Sequence, residues 1–220
     1  MKNTIINPEI VRKHIEKLQI KDLGKASIRE IVALVNFIEE ESQTKFIRME
    51  MGVPGLPPAK FGVDAEIKAL ESGVASIYPM MDGIKPLKYE ASRFIKLFID
   101  VDVDPASCIP TCGSMQGTFA AFLVAGNVDK QKDTTLFIDP GFPVQKQQMT
   151  VMGNKFKSFD VFEFRGEKLR EKLESYLQQG NINSIVYSNP NNPSWICLTD
   201  EELQIIGDLA NKYDVIVMED

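Results

Sequence analysis

The sequence predicts an α/β fold with a mostly parallel sheet, preceded by an N-terminal helical arm. Three observations lead there. Past residue 113, short apolar runs of strand composition alternate with segments of helical period, a spacing that implies right-handed βαβ units. Residues 8 to 42 carry helical periodicity and end before the breaker-rich Gly52-Val53-Pro54-Gly55-Leu56-Pro57-Pro58. The chain has 220 residues, 44% of them hydrophobic, enough to bury a sizeable core in one domain or one and a half.

Element by element, residues 8 to 42 read as two helices. In the second, Ile28, Ile31, Val32, Val35 and Ile38 recur on one face. Glu39, Glu40 and Glu41 at its far end oppose the macrodipole, so this end is expected to fray. Phe46 to Met51 alternates as a short strand would. Helical stretches follow at about 61 to 73 and 87 to 99, and an apolar helix runs from Met115 to Ala125. Thr134 to Ile138 is a strand, 143 to 152 a helix and 158 to 162 a strand, with Lys155 to Lys157 a solvated turn before it. Leu169, Leu173, Tyr176 and Leu177 share a face of a helix at 166 to 179, and Ile185 to Tyr187 is the next strand. Thr199 and Glu202 form the pattern of a capping box, with Leu198 and Leu203 as its staple, and start a helix at 200 to 213. Val215 to Met218 is the last strand. These patterns divide the chain into an arm, residues 1 to 50, and a sheet domain, residues 51 to 220.

The formal net charge of -6 and pI near 5.0 argue against nucleic-acid or anionic-membrane partners. No secretory leader and no spanning apolar run is read in the sequence, so a soluble cytoplasmic protein is expected. Three cysteines are an odd number and build no disulfide framework. Cys108 and Cys112 stand at a CxxxC spacing with His14 as the chain's only histidine, too few ligands for a zinc site, and no metal is expected.

Four features bear on chemistry. Gly113-Ser114-Met115-Gln116-Gly117 opens a helix, a common start but also a cradle for phosphate through free N–H groups and the Ser114 hydroxyl. Asp139-Pro140-Gly141-Phe142 follows a strand and either presents Phe142 to a planar ring or caps the core with it. Asn192 lies in Asn189-Pro190-Asn191-Asn192-Pro193, which holds more Asn-Pro steps than a simple turn needs. Asp220 ends an apolar strand, where a carboxylate asks for a cationic partner. In a parallel sheet the carboxyl ends of strands carry the ligand sites, which places Asn192 and Asp220 on one edge.

These residues resemble the class I/II aminotransferases of pyridoxal-phosphate (PLP) fold type I, from about Glu50 to Asp220. The resemblance implies the large domain of that fold, incomplete on its C-terminal side, with residues 1 to 50 as a helical arm or part of a small domain. It implies PLP as cofactor, amino-group transfer between an amino acid and a 2-oxo acid, and a homodimer. Gly113, Ser114 and Met115 match the phosphate-binding helix start, and Phe142 the aromatic stacked on the ring. Asn192 matches the amide at the phenolic oxygen, and Asp220 the carboxylate at the ring nitrogen. Gly52, in Met51-Gly52-Val53-Pro54, matches the glycine near the substrate carboxylate. Tyr78, five residues before Gly83, matches the tyrosine that reaches the phosphate in the neighbouring subunit.

The sequence also departs from the pattern. Ser194-Trp195 stands where the family has Thr-Gly, and Lys88 where it has arginine. The Schiff-base lysine, a tyrosine and the carboxylate-binding arginine are expected downstream of Asp220, so no catalytic residue is assigned here. The 220-residue chain alone is expected to be inactive and poorly covered. A C–S lyase, a decarboxylase or a non-catalytic PLP-binding regulator would present the same residues. The reading outside this family is an ordinary nucleotide- or phosphate-binding α/β domain or a non-catalytic interaction module; against it, the first βα turn lacks GxGxxG and no Walker lysine motif is present.

Overall fold

The computed structural model describes residues 5 to 52 and 55 to 220; Val53 and Pro54 of the Gly-x-Pro segment lie outside them. The chain forms two compact units, one running to Tyr78 and the other from Pro79 to Asp220.

In the first unit, α1 (Pro8–Lys17) starts at Asn7, whose side chain accepts the Glu9 N–H at 2.9 Å, with Pro8 in the first turn. α2 (Ile28–Ser42) starts with a capping box between Ser27 and Glu30. Ile20, Leu34 and Ile38 form the shared core, with Ile10, Val11 and Ile15 packed on it. The expected fraying does not occur, because the acids at the end of α2 find partners. Glu41 accepts from Lys13 Nζ and meets His14 Nε2 at 2.8 Å, while Glu39 accepts the Phe46 N–H at 2.8 Å. The strand expected over Phe46 to Met51 does not form either. A strand needs a ladder partner, and here the Phe46 amide goes to a side chain instead. α3 (Lys60–Glu71) completes this unit.

The second unit carries α4 (Lys85–Ile99), α5 (Ser114–Val128), β1 (Thr134–Asp139), α6 (Pro143–Met152), β2 (Lys155–Asp160), α7 (Glu167–Leu177), β3 (Ile182–Tyr187), α8 (Asp200–Tyr213) and β4 (Ile216–Glu219). The four strands lie in the order β2-β1-β3-β4, and every pairing is parallel. Alternate residues of β1 and β3 feed opposite faces. Leu136, Ile138, Ile185 and Tyr187 pack with Leu169, Leu173 and Leu177 of α7 and Ile205, Ile206 and Leu209 of α8. Phe137 and Val186 pack with Phe122 of α5 and Met149 of α6. The result is a three-layer arrangement in which each fully buried large side chain contributes roughly 1.5–3 kcal/mol.

β2 begins earlier than the sequence pattern predicts. Lys155 and Lys157, expected in a turn, are strand residues. β2 is an edge strand, where lysines are tolerated and protect against further pairing. Their ammonium groups reach Asp133 and Gln179, each at 2.6 Å.

One polar contact fastens α7 to α8. Glu202, the third residue of α8, is 1% exposed, and its carboxylate accepts four hydrogen bonds. Two come from Arg165 at 2.6 Å, one from Gly166 N–H at 2.8 Å and one from Thr199 N–H at 2.9 Å. The Arg165 bonds hold Glu202 well below its ordinary value of 4.5, at about 2. Because the folded-state value is depressed, this contribution is fully present above about pH 4.5 and is lost as the pH falls toward 2. It amounts to about 3 kcal/mol. Urea titrations between pH 5 and pH 2.5 should show that loss, and Glu202→Gln should flatten it while lowering stability at pH 7. An unchanged pH slope in the variant would contradict the assignment.

Phe94, Leu97, Phe98 and Ile99 on α4 are all exposed, a larger apolar surface than monomeric proteins usually tolerate. Sedimentation of the 220-residue chain should therefore reveal concentration-dependent association; a single monomeric species across the range would count against it.

Candidate active site at the carboxyl edge of the sheet

Parallel pairing puts the carboxyl ends of β1, β3 and β4 on one edge, and each is followed by residues singled out from the sequence. Asp220 comes directly after β4. Its N–H donates to the Tyr187 carbonyl at 2.9 Å, extending the β3–β4 ladder and fixing the direction in which the residue leaves the sheet. Its carboxylate Oδ2 accepts from Gln145 Nε2 at 2.8 Å. Beside it, burial and the Glu219 carboxylate push the Tyr187 phenol up to about 12, so the hydroxyl keeps its proton and donates to Glu219 at 3.2 Å.

Phe142 is the residue before α6, followed by Pro143 in the first turn. It belongs to neither buried cluster of this unit and is 37% exposed. The start of α5 supplies a third group. Gly113 has φ +79, a left-handed conformation that glycine adopts freely, and a Cβ there would meet open space. No side chain caps this helix, and among the described residues the N–H groups of Ser114 and Met115 have no acceptor. The Ser114 hydroxyl is likewise without a partner among them. Gln148 of α6 donates to the Met115 carbonyl at 2.8 Å and accepts from Thr118 at 3.0 Å, locking α5 to α6.

One shallow depression, with about 170 Å³ of empty space, collects these groups. Ser114, Met115, Phe142, Gln145 and Asp220 all line it. Asn192 does not: its side chain is exposed and its N–H donates to Ser188 Oγ at 3.0 Å. The neighbouring Asn191 is the structural residue of that loop. Buried, it donates to the Pro140 carbonyl and accepts from Ser194 N–H at 3.1 Å and Ser194 Oγ at 2.6 Å. The Asn191 amide thereby ties the loop after β3 to the turn that carries Phe142. Gly52 and Tyr78 fall in the first unit and are exposed, Tyr78 almost fully. No lysine lines the cleft, and no group of potential metal ligands occurs among the described residues. Sequence reasoning missed Gln145 and Asn191. The available signals were weak: a polar residue three places after Phe142, and the first of two adjacent asparagines.

Trp195 occupies the left-handed region at φ +62 and is 86% exposed. The conformation costs an L-residue roughly 1–2 kcal/mol, which explains a glycine in the related pattern.

Comparison with known proteins shows the family. Residues 44 to 220 match the family model for aminotransferase class I and II, and the chain belongs to that family. It is 24% identical over 200 residues to a probable aspartate aminotransferase of Methanocaldococcus jannaschii, covering 91% of this chain and 50% of that protein. It is 31% identical over 147 residues to the glutamate-pyruvate aminotransferase AlaC of Escherichia coli, covering 65% of this chain and 34% of that one. Among solved structures, a double mutant of Thermus thermophilus aspartate aminotransferase superposes with TM-score 0.75 at 17% identity, over 93% of this chain and 52% of that one. Alanine aminotransferase from Pyrococcus furiosus gives 0.71 at 23% identity, over 87% and 48%. The fold is therefore that of the PLP fold type I aminotransferases. The chain spans about half the length of curated relatives it matches, among them two aspartate aminotransferases.

Asn191→Ala should cost about 2 kcal/mol in urea unfolding, because several buried partners lose their bonds together. Equal stability would show that the loop is held otherwise. Trp195→Gly should be close to neutral, since strain relief offsets the added freedom of glycine in the unfolded chain; a loss of several kcal/mol would contradict the exposed placement.

Proposed function

We propose that this chain forms the cofactor-ring half of a PLP-dependent aminotransferase active site. The intact protein transfers an amino group between an amino acid and a 2-oxo acid. The observation that carries the reading is the convergence of Ser114, Phe142 and Asp220 in one cleft at the carboxyl edge. Each fits one part of PLP. Two partnerless N–H groups and a hydroxyl at the start of α5 suit a phosphate, and the half-exposed Phe142 ring offers a face to the pyridine. The Asp220 carboxylate, with Oδ1 unpartnered among the described residues, suits a protonated ring nitrogen.

Bound there, PLP supplies an electron sink for the carbanion left when a substrate Cα loses its proton. The residues of this chain set the conditions for that. Asp220 keeps a proton on the ring nitrogen through a charge-assisted hydrogen bond of roughly 1.5–3 kcal/mol. Phe142 fixes the plane of the ring, and the α5 N-terminus anchors the phosphate against the helix dipole. Asn192 is assigned to the phenolic oxygen; its side chain is exposed on the loop held by Asn191. Gly52 is assigned to the substrate carboxylate, and Tyr78 to the phosphate of a second subunit in a homodimer. The division at residues 50 and 51 separates the arm from the PLP-binding domain. No lysine lines the cleft, so the lysine that holds the cofactor is assigned to sequence beyond Asp220. A cytoplasmic location fits the absence, among the described residues, of any helix long and apolar enough to cross a membrane.

The test is the amino-acid half-reaction in protein that includes the residues following Asp220. Asp220→Ala should slow it by orders of magnitude, and Phe142→Ala should release the cofactor on dialysis more than about tenfold faster. Half-reaction rates that survive unchanged in Asp220→Ala would overturn the assignment.

A further inference from the structure

We propose that Gln145 is a positioning residue for Asp220, holding one carboxylate oxygen so that the other faces the ligand. The inference rests on the reading of Asp220 as the partner of a cationic ring nitrogen. Asp220 directly follows the last residue of β4. Its one side-chain hydrogen bond among the described residues comes from Gln145 Nε2, at 2.8 Å from Oδ2. Gln145 is 5% exposed, so its side chain is held by packing. It sits in the first turn of α6, with its N–H on the Phe142 carbonyl at 3.2 Å. A single helical turn thus places the ring-facing Phe142 and the amide that orients the carboxylate.

The chemistry of the donor matters. A lysine at this position would neutralise the carboxylate and compete with a cationic ligand. The next residue, Lys146, is such a group, and it is engaged by Asp139 instead. An amide donates a hydrogen bond, carries no charge and does not titrate, so it orients the carboxylate without adding a cation beside it. One oxygen is fixed and Oδ1 is left for the N–H of a protonated heteroaromatic ring.

The probe is pyridoxamine 5′-phosphate, whose amine forms no bond to a lysine and so needs none to bind. Its affinity is read by calorimetry on the full chain, and the protonation midpoint of its bound, 15N-labelled ring nitrogen by NMR. Gln145→Met and Gln145→Leu both remove the donor at similar volume, and urea unfolding accompanies each. The expected result is affinity about fivefold to tenfold weaker and a midpoint lower by about one pH unit, because a carboxylate that wanders stabilises the ring proton less. Wild-type affinity and midpoint in either folded variant would overturn the proposal, as would a loss of stability with the midpoint intact. Asp220→Ala is the companion: if it too leaves the midpoint unmoved, the reading of Asp220 fails; if it lowers the midpoint while the Gln145 variants do not, only the role of Gln145 fails.

Discussion

Parallel pairing of β1, β3 and β4 is the constraint on which the rest of the second unit depends. Two consecutive rows align Leu136 with Ile185 and Val217, and Phe137 with Val186 and Met218, so the carboxyl ends finish level. Because side chains alternate with period two, a one-residue slip would turn Leu136 and Ile185 away from α7 and α8. The core therefore enforces the register, and the register sets the edge at which Asp220, the loop after β3 and the turn before α6 emerge together.

Two carboxylates in this unit show how similar chemistry is put to different ends. Glu202 is buried and accepts four hydrogen bonds, so nothing remains to attract a ligand; its role is to hold the starts of α7 and α8 together. Asp220 is exposed, accepts one side-chain bond from a neutral amide and retains a free oxygen. A satisfied carboxylate is structural, and a half-satisfied one at a strand end is available. The same contrast separates Asn191, whose amide is used up by Pro140 and Ser194, from Asn192, whose side chain is not.

Much of this was legible in the sequence because local rules and tertiary structure agree. Thr199 and Glu202 predicted the start of α8, and the structure adds that Glu202 is also buried against Arg165, a long-range contact that no local pattern encodes. The alternation of helix and strand pointed to the sheet, and its parallel pairing puts Asp220 and the loop carrying Asn192 after the carboxyl ends of neighbouring strands, although Asn192 does not line the depression that Asp220 does. What escaped depended on partners distant in sequence. Phe46 to Met51 has strand composition but no neighbouring strand, and Lys155 and Lys157 look like turn residues until an edge position makes them acceptable. Gln145 was invisible for the same reason, since its role exists only once β4 brings Asp220 beside α6.

The most direct test of this account is a crystal structure with pyridoxamine 5′-phosphate bound. The account predicts the phosphate at the N–H groups of Ser114 and Met115, the ring lying against Phe142, and the ring nitrogen within hydrogen-bonding distance of Asp220 Oδ1. A ligand seated elsewhere, or seated in this cleft with its ring nitrogen turned away from Asp220, would contradict it.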